Sequence, residues 1–270
     1  NIGLEEIAEF GEHVGIPGPL LAVPSIVLGS LEVSPLDMTA AYGIFASGGI
    51  RAEPNAITRV ETRDGATLVG HPPEMRRIVS PAEAFVITHI LEGVMARGTG
   101  RSARWRGFKS PAAGKTGTTN GYRDAWFIGY TPDLLAGVWV GYDGGTPLEL
   151  SGASAALPIW TEFMKHATAA DLKRGFSVPP GITMVEVDRH TGLPPLPVEQ
   201  PGEPDAEAFA GETAFEAGAD EAKKPPVELI LEAFLTGDEP AFSRPLALSA
   251  DFVETLGADD LPEERVSPSE

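Results

Sequence analysis

The sequence predicts an α+β fold in which an antiparallel sheet is flanked by helices. Three observations support this prediction: two helix-start patterns in the first third of the chain, three consecutive strand-like segments between residues 112 and 142, and an apolar helical segment at 155–168. The order of helix, hairpin, helix, three strands and helix lacks the regular strand–helix alternation of parallel α/β proteins. It is therefore typical of the α+β class.

Two serine–proline pairs mark the beginnings of the predicted flanking helices. In Ser34-Pro35-Leu36-Asp37, a capping hydroxyl precedes a first-turn proline and an acidic residue that suits the positive end of the helix dipole. Ser80-Pro81-Ala82-Glu83 repeats the pattern, and we expect the two helices to end at Gly48-Gly49 and at Gly98. The predicted buried stripes are Leu36, Ala40, Ala41, Ile44 and Phe45 in the first helix, and Phe85, Ile87, Leu91 and Val94 in the second.

Two smaller elements lie in the same half of the chain. A short helix is predicted over residues 4–14. Ile57–Thr62 and Ala66–Val69 alternate in polarity around Arg63-Asp64-Gly65, which predicts a hairpin.

The strand-like segments are Ala112–Thr119, Ala125–Tyr130 and Leu135–Tyr142, with a turn at Thr131-Pro132-Asp133. The near-continuous apolar runs of the second and third segments indicate strands that are covered on both faces. The helix at 155–168 is predicted to pack on this sheet with the following residues inward: Ile159, Trp160, Phe163 and Met164.

The acidity of the chain is concentrated near its end. The formal net charge is −19, and residues 201–270 hold 18 Asp and Glu against 4 Lys and Arg, a net of −14, which leaves −5 for residues 1–200. We therefore divide the chain into a folded domain at 1–172 and an acidic, Pro-rich extension at 173–270. In the extension, Ile182–Asp188 is predicted to be a strand and Val227–Leu235 a short apolar element, whereas Pro194–Ala222 and Asp259–Glu270 are predicted to be irregular.

Composition excludes several classes of function. Nucleic-acid binding is not expected, because it needs a basic face. The absence of cysteine excludes disulfides, thiolate metal sites and a cysteine nucleophile. The five histidines show no ligand spacing, so no metal site is predicted. No run of 18 apolar residues predicts a membrane span, and the first residues do not resemble a signal peptide.

The segment Ala112–Thr119 combines a lysine, three hydroxyls and a glycine on one short strand. One interpretation is an exposed strand end without function. A phosphate-binding loop is excluded in practice, because Lys109 stands where that motif needs a glycine. A third interpretation is an edge that binds a carboxylate and an acyl group. Thr116 and Thr118 point to one face, Gly117 permits close approach of a ligand, and Lys115 adds a positive charge.

A basic stretch precedes this strand. It contains Arg101, Arg104, Arg106 and Lys109. It is either a solvated loop or a rim that attracts an anionic substrate.

Lys115-Thr116-Gly117 and its flanks resemble the K-T-G region of class A, bifunctional penicillin-binding proteins. The resemblance covers about residues 1–170 and is carried by the following segments: Ala113–Thr119 (AGKTGTT), Tyr122–Tyr130 (YRDAWFIGY), Val138–Asp143 (VWVGYD), Pro24–Ser30 (PSIVLGS) and Gly98-Thr99-Gly100. Weaker similarity extends to Asp188–Gly192 and Glu232–Pro240. The implied fold is the penicillin-binding transpeptidase and β-lactamase-like fold, incomplete at its N-terminal side.

The resemblance also implies an activity and a set of roles. The family's transpeptidase domain cross-links peptidoglycan stem peptides that end in D-Ala-D-Ala, and it is acylated by β-lactams. The implied catalytic residues are Lys115, which assists proton transfer, and Thr118, whose N–H is half of the oxyanion hole. The implied substrate-binding residues are Thr116, Gly117, Thr118, Thr119 and Tyr122. No cofactor is implied. Cell-wall assembly proteins are further expected partners.

The sequence departs from the family pattern at one point. No serine here has lysine three positions on, and none has asparagine two positions on, so the S-x-x-K and S-x-N motifs are missing. We expect both, with the glycosyltransferase domain and the membrane anchor, to precede Asn1 in a full-length protein on the periplasmic face of the inner membrane. The chain itself is then the C-terminal part of a transpeptidase domain and is inactive alone. Because the nucleophile-bearing helices would be absent, we also expect one bare apolar face on the sheet.

Two alternatives remain open. A non-catalytic module would bind stem peptides or cell-wall partners without acylation. A class A β-lactamase is the other, although such enzymes lack the tryptophan-rich hairpin flanks and the long acidic tail.

Overall fold

The computed structural model describes residues 2–70, 72–168, 174–194 and 228–240. Its helices are α1 (Leu4–His13), α2 (Pro35–Ala46), α3 (Pro81–Ala96), α4 (Ser102–Trp105) and α5 (Ala156–Ala167). Its strands are β1 (Ile50–Ala52), β2 (Arg59–Glu61), β3 (Thr67–Gly70), β4 (Met75–Arg77), β5 (Ala113–Thr118), β6 (Asp124–Tyr130), β7 (Leu135–Gly141), β8 (Ile182–Asp188) and β9 (Leu229–Leu235). The predicted irregular regions, apart from Pro194, lie outside the described residues.

Both serine–proline pairs begin helices as predicted. The Ser34 hydroxyl accepts a hydrogen bond from the Asp37 N–H at 3.1 Å. Ser80 forms a full capping box, in which its hydroxyl accepts from the Glu83 N–H at 3.2 Å and the Glu83 carboxylate accepts from the Ser80 N–H at 2.7 Å. These local bonds satisfy N–H groups that a helix start leaves unpaired.

The central sheet has the strand order β5-β6-β7, and both pairings are antiparallel. Side chains alternate between its faces. Phe127 packs with α5, and Tyr130 packs with residues of α2 and α3. Both faces of the sheet are therefore covered, as the apolar runs predicted. Among the described residues the expected bare apolar face is not found, because α2 and α3 cover the face opposite to α5.

The helix faces differ from the sequence prediction. In α5 the inward stripe is Leu157, Trp160, Thr161 and Met164, whereas Ile159 and Phe163 are about half exposed, at 53% and 52%. In α3 the buried positions are Ala84, Phe85, Thr88, Leu91 and Met95, and Ile87 is turned outward. Small and hydroxyl side chains take inward positions in both helices, so counting large apolar residues alone misplaced the stripe.

Short elements frame the sheet. β2 and β3 form the predicted hairpin. β1 and β4, which the sequence did not indicate, pair in antiparallel fashion between α2 and α3. α4 is a single helical turn in the basic stretch, where a loop was expected.

The described residues fall into two units: those within 1–184 together with 232–239, and those within 185–231 together with Pro240. In the first unit, Arg97 of α3 donates to the Glu232 carboxylate at 2.5 Å. In the second, Arg189 donates to both carboxylate oxygens of Glu228 at 3.0 Å. The boundary between residues 172 and 173 stays a prediction. Within the described ranges, no helix has the length and apolar character of a membrane span, and no cluster of three metal-ligating side chains is present.

Candidate functional site

β5 lies at one edge of the described three-stranded sheet. Its first residues, Ala113 and Gly114, are buried, whereas Lys115 and Thr118 are exposed and Thr116 and Gly117 are half-buried. An edge strand leaves every second N–H and C=O without a partner in the sheet. The K-T-G segment therefore emerges from the core with open backbone groups and polar side chains together.

The two threonine side chains of this segment have partners from other parts of the fold. The Thr116 hydroxyl lies 2.8 Å from the Thr99 hydroxyl, in the loop after α3. The Thr118 hydroxyl accepts a hydrogen bond from the Gly152 N–H at 3.0 Å. Because Thr118 accepts, its own O–H proton stays available for a ligand, and the Thr116–Thr99 pair likewise keeps one proton.

Lys115 presents its ammonium group at the same edge. Its Nζ donates to the Thr116 carbonyl oxygen at 2.9 Å, and the residue is exposed. An ammonium group has three N–H donors, so two remain for other acceptors.

Gly152 is packed against the end of β5. A Cβ atom at residue 152 would lie 2.3 Å from the Trp126 carbonyl oxygen and 2.5 Å from that of Gly117. Only a residue without a side chain fits here. This contact places the loop at 151–154 beside the K-T-G segment.

The turn after β5 is fixed by Asp124. Its carboxylate accepts from the Thr119 hydroxyl at 3.0 Å and from the Trp139 indole N–H at 2.9 Å. Thr119 also accepts from the Asp124 N–H at 2.9 Å. Tyr122 has a positive φ of 53° and is 51% exposed, so its ring stands at the surface of this turn. These bonds give Asp124 a structural role in the turn.

A pocket of about 440 Å³ opens beside the site, between the 98–106 segment and the 151–154 loop. Two cations of the basic stretch, Arg101 and Arg106, line it. Arg104 is instead half-buried and donates to the Ser110 carbonyl oxygen at 2.6 Å, and burial lowers its pKa. Lys109 is exposed and does not line the pocket. The four basic residues that the sequence grouped therefore have different environments.

The fold brings Lys115, Thr116, Gly117 and Thr118 to one strand edge, and it places Thr119 and Tyr122 in the adjoining turn. Sequence reasoning did not identify the loop at 151–154, although its run of small residues (Ser-Gly-Ala-Ser) was a signal for close backbone approach.

Residues 3–165 match the family model described as the penicillin-binding protein transpeptidase domain. The chain is 37% identical over 190 residues to penicillin-binding protein 1A of Aquifex aeolicus, which covers 70% of this chain and 26% of that protein. It thus spans about a quarter of the length of that relative.

Two solved structures have a similar fold. Penicillin-binding protein 1A from Haemophilus influenzae has a TM-score of 0.71 at 24% identity, over 90% of this chain and 38% of that one. PonA1 from Mycobacterium tuberculosis, solved in complex with penicillin V, has a TM-score of 0.53 at 26% identity, over 66% of this chain and 53% of that one. The predicted α+β class with an antiparallel sheet flanked by helices is confirmed.

Proposed function

The chain belongs to the penicillin-binding protein transpeptidase family, and from this premise we propose that it forms the carboxylate-binding wall of a peptidoglycan D,D-transpeptidase site. The observation that carries this proposal is the exposed edge of β5, where Lys115, Thr116 and Thr118 lie beside open backbone groups. The proposed substrate is a stem peptide that ends in D-Ala-D-Ala, and β-lactams would bind at the same place.

The terminal carboxylate of the peptide would lie against the threonine hydroxyls. Thr118 keeps its hydroxyl proton to donate, because it accepts from the Gly152 N–H. The Thr99–Thr116 pair uses one of its two protons in the bond between them and keeps the other for a ligand. Hydrogen bonds to an ionised carboxylate are roughly twice as strong as neutral ones. The Lys115 ammonium adds charge complementarity at this edge.

The peptide backbone would lie along β5. Gly117 has no side chain to obstruct it, and a strand edge pairs readily with an extended peptide. The Thr118 N–H would then be one donor to the oxyanion that forms when the D-Ala-D-Ala carbonyl is attacked. Such a donor lowers the barrier by about 3 kcal/mol. Thr119 and Tyr122 would border the peptide at the following turn.

We propose that residues outside this chain supply the nucleophile, because no serine in it is followed by lysine three positions on. The 270-residue polypeptide would then be inactive on its own. A full-length protein would act on the periplasmic face of the bacterial inner membrane.

Covalent labelling by a fluorescent penicillin tests the proposal. The isolated 270-residue chain should not be labelled. The polypeptide as its gene encodes it should be labelled, and Lys115→Ala should slow the labelling by at least tenfold because it removes the ammonium group from the site. Lys165→Ala, which removes an exposed lysine paired with Glu162 on α5, is the matched control and should leave the rate unchanged.

The missing serine–lysine pair also favours a second candidate, a non-catalytic module that binds D-Ala-D-Ala peptides reversibly. If the gene-encoded polypeptide binds such a peptide and Lys115→Ala weakens that binding, yet no penicillin adduct forms, the transpeptidase proposal fails and the binding module stands.

A further inference from the structure

A pocket with a cationic lining adjoins the K-T-G edge without being part of it. Both walls of the pocket between segments 98–106 and 151–154 are hydrogen-bonded to β5, one through Thr99 to Thr116 and the other through Gly152 to Thr118. None of the K-T-G residues lines the pocket. A ligand held on β5 would therefore have this cavity immediately to its side.

The lining of this pocket is cationic and rich in hydroxyl groups. Arg101 and Arg106 supply two positive charges, and no acidic residue is among the lining residues. Ser102 adds a hydroxyl, and the lining also includes Thr99, which is bonded to Thr116, and Ser151 and Ser154, whose hydroxyls lie 3.0 Å apart. Guanidinium groups beside hydroxyls are a set of donors that suits a carboxylate, which accepts two parallel hydrogen bonds from one guanidinium.

Neither arginine forms an ion pair within the described part of the chain. The Arg101 guanidinium carbon lies 4.6 Å from the centroid of the Trp105 ring, a contact that orients the group and leaves its N–H donors open. Arg106 is exposed. Other arginines of the fold have carboxylate partners, as Arg97 does with Glu232 and Arg51 with Glu53.

We propose that this cavity, the arginine pocket, binds a second carboxylate of the peptide whose terminal carboxylate lies on β5. The inference rests on the proposed function and adds a specificity to it: peptides with an internal free carboxylate are preferred over the same peptides with that group amidated. A single exposed charge pair contributes modestly, so the preference should be about three- to tenfold in affinity.

Binding of two synthetic peptides to the gene-encoded polypeptide tests this proposal. Both peptides end in D-Ala-D-Ala, and they differ only in whether an internal side-chain carboxyl group is free or amidated. The wild-type protein should bind the free acid more tightly by the stated factor. Arg101→Gln with Arg106→Gln should bring the ratio close to one, mainly by weakening binding of the acid.

Two further variants separate the arginine pocket from general electrostatic attraction. Arg63→Gln removes a positive charge from the β2–β3 turn and should keep the wild-type ratio. Arg101→Lys keeps the charge but loses the planar guanidinium, so it should retain an intermediate ratio. The pocket arginines are exposed at the surface, and a thermal melt equal to that of wild type would confirm that their variants fold.

The remaining outcomes overturn the proposal in distinguishable ways. Equal affinity of the wild-type protein for both peptides would refute the arginine pocket and leave the proposed function standing. If Lys109→Gln lost the preference for the free acid to the same extent as the arginine variants, the effect would come from the overall positive charge of the basic stretch and not from the arginine pocket. If neither peptide binds to the wild-type protein, the proposed function fails and the inference fails with it.

Discussion

At the scale of a single residue, Gly152 allows the 151–154 loop to pack closely against β5. A side chain at this position would overlap the carbonyl oxygens of Trp126 and Gly117. The Gly152 N–H also donates to the Thr118 hydroxyl, so the position of the loop decides which way that hydroxyl can donate. The conformation of a proposed ligand-binding group thus depends on a residue 34 positions away in the sequence.

Gly152→Ala should therefore displace the loop and weaken the site. Overpacking of this kind costs about 1–3 kcal/mol of the free energy of unfolding. We expect that loss in a denaturant titration, together with weaker binding of a D-Ala-D-Ala peptide. Gly144→Ala is the control, because a Cβ atom there would meet nothing within 4 Å and its φ is not positive. Equal effects of the two variants would contradict the role that we give Gly152.

The role of Asp124 follows from its contacts in the structure and not from the sequence. Its two carboxylate oxygens accept from Trp139 on β7 and from Thr119 at the start of the turn after β5. A carboxylate next to a K-T-G segment is equally compatible with catalysis or with structure when only the sequence is known. The partners of both its oxygens assign it to the structure of the turn.

At the scale of secondary-structure elements, α3 packs on the central sheet through a buried polar contact. The Thr88 hydroxyl lies 2.9 Å from the Tyr130 hydroxyl, and Thr88 also donates to the Ala84 carbonyl oxygen at 2.9 Å. Tyr130 is fully buried on β6, and Thr88 is 3% exposed. This bond joins a helix to a strand inside the core, where an unpaired hydroxyl would be costly.

The burial of Tyr130 makes the fold sensitive to alkaline pH. Burial raises the pKa of Tyr130 far above its ordinary value near 10, and burial also raises the pKa of Tyr42. The unfolded chain therefore loses these protons at a lower pH than the folded chain does. Stability is fully present below about pH 10 and falls as the pH rises toward the folded-state pKa, by up to about 1.4 kcal/mol per pH unit for each tyrosine.

Tyr130→Phe should remove one of these two contributions. The variant should lose about 1 kcal/mol at neutral pH, because the Thr88–Tyr130 hydrogen bond is gone while Thr88 keeps its bond to Ala84. Its unfolding free energy should then fall less steeply than that of wild type between pH 10 and 11.5, as measured by chemical denaturation. Parallel curves for the two proteins in that range would show that Tyr130 ionises normally.

At the scale of the whole molecule, the described residues expose apolar side chains away from the central sheet. Leu21, Val27, Leu28 and Leu36 are between 63% and 89% exposed. All four lie between α1 and the first turn of α2. The sheet itself is covered on both faces, so exposed apolar side chains of this kind, rather than a bare sheet, favour association.

We expect the isolated 270-residue chain to self-associate through this segment. Val27→Ser with Leu28→Ser should lower the aggregated fraction in sedimentation velocity without changing the unfolding free energy by more than about 0.5 kcal/mol, since both side chains are mostly exposed. Glu5→Ser with Glu9→Ser, which changes two exposed polar residues of α1, should not reduce association. A soluble wild-type monomer with a sharp thermal transition would contradict this expectation.

The sequence by itself determined those features of this protein that depend on local chemistry. Several features depend only on residues within a few positions of one another, so they can be predicted without knowledge of the fold. These features are the serine caps of α2 and α3, the three strands and the K-T-G segment. The apolar runs of β6 and β7 likewise predicted that both faces of the sheet are covered, because a strand with one solvent-exposed face alternates in polarity.

Tertiary structure alone decided which side chains the site combines. Thr99 and Gly152 contact the K-T-G segment across 17 and 34 residues of sequence, and Arg101 and Arg106 line a pocket while Arg104 is bound inside the fold. The inward faces of α3 and α5 were also set by their neighbours, which accepted alanine and threonine where the pattern favoured isoleucine and phenylalanine. Local propensity fixes an element, whereas the packing of elements against one another fixes the contacts between them.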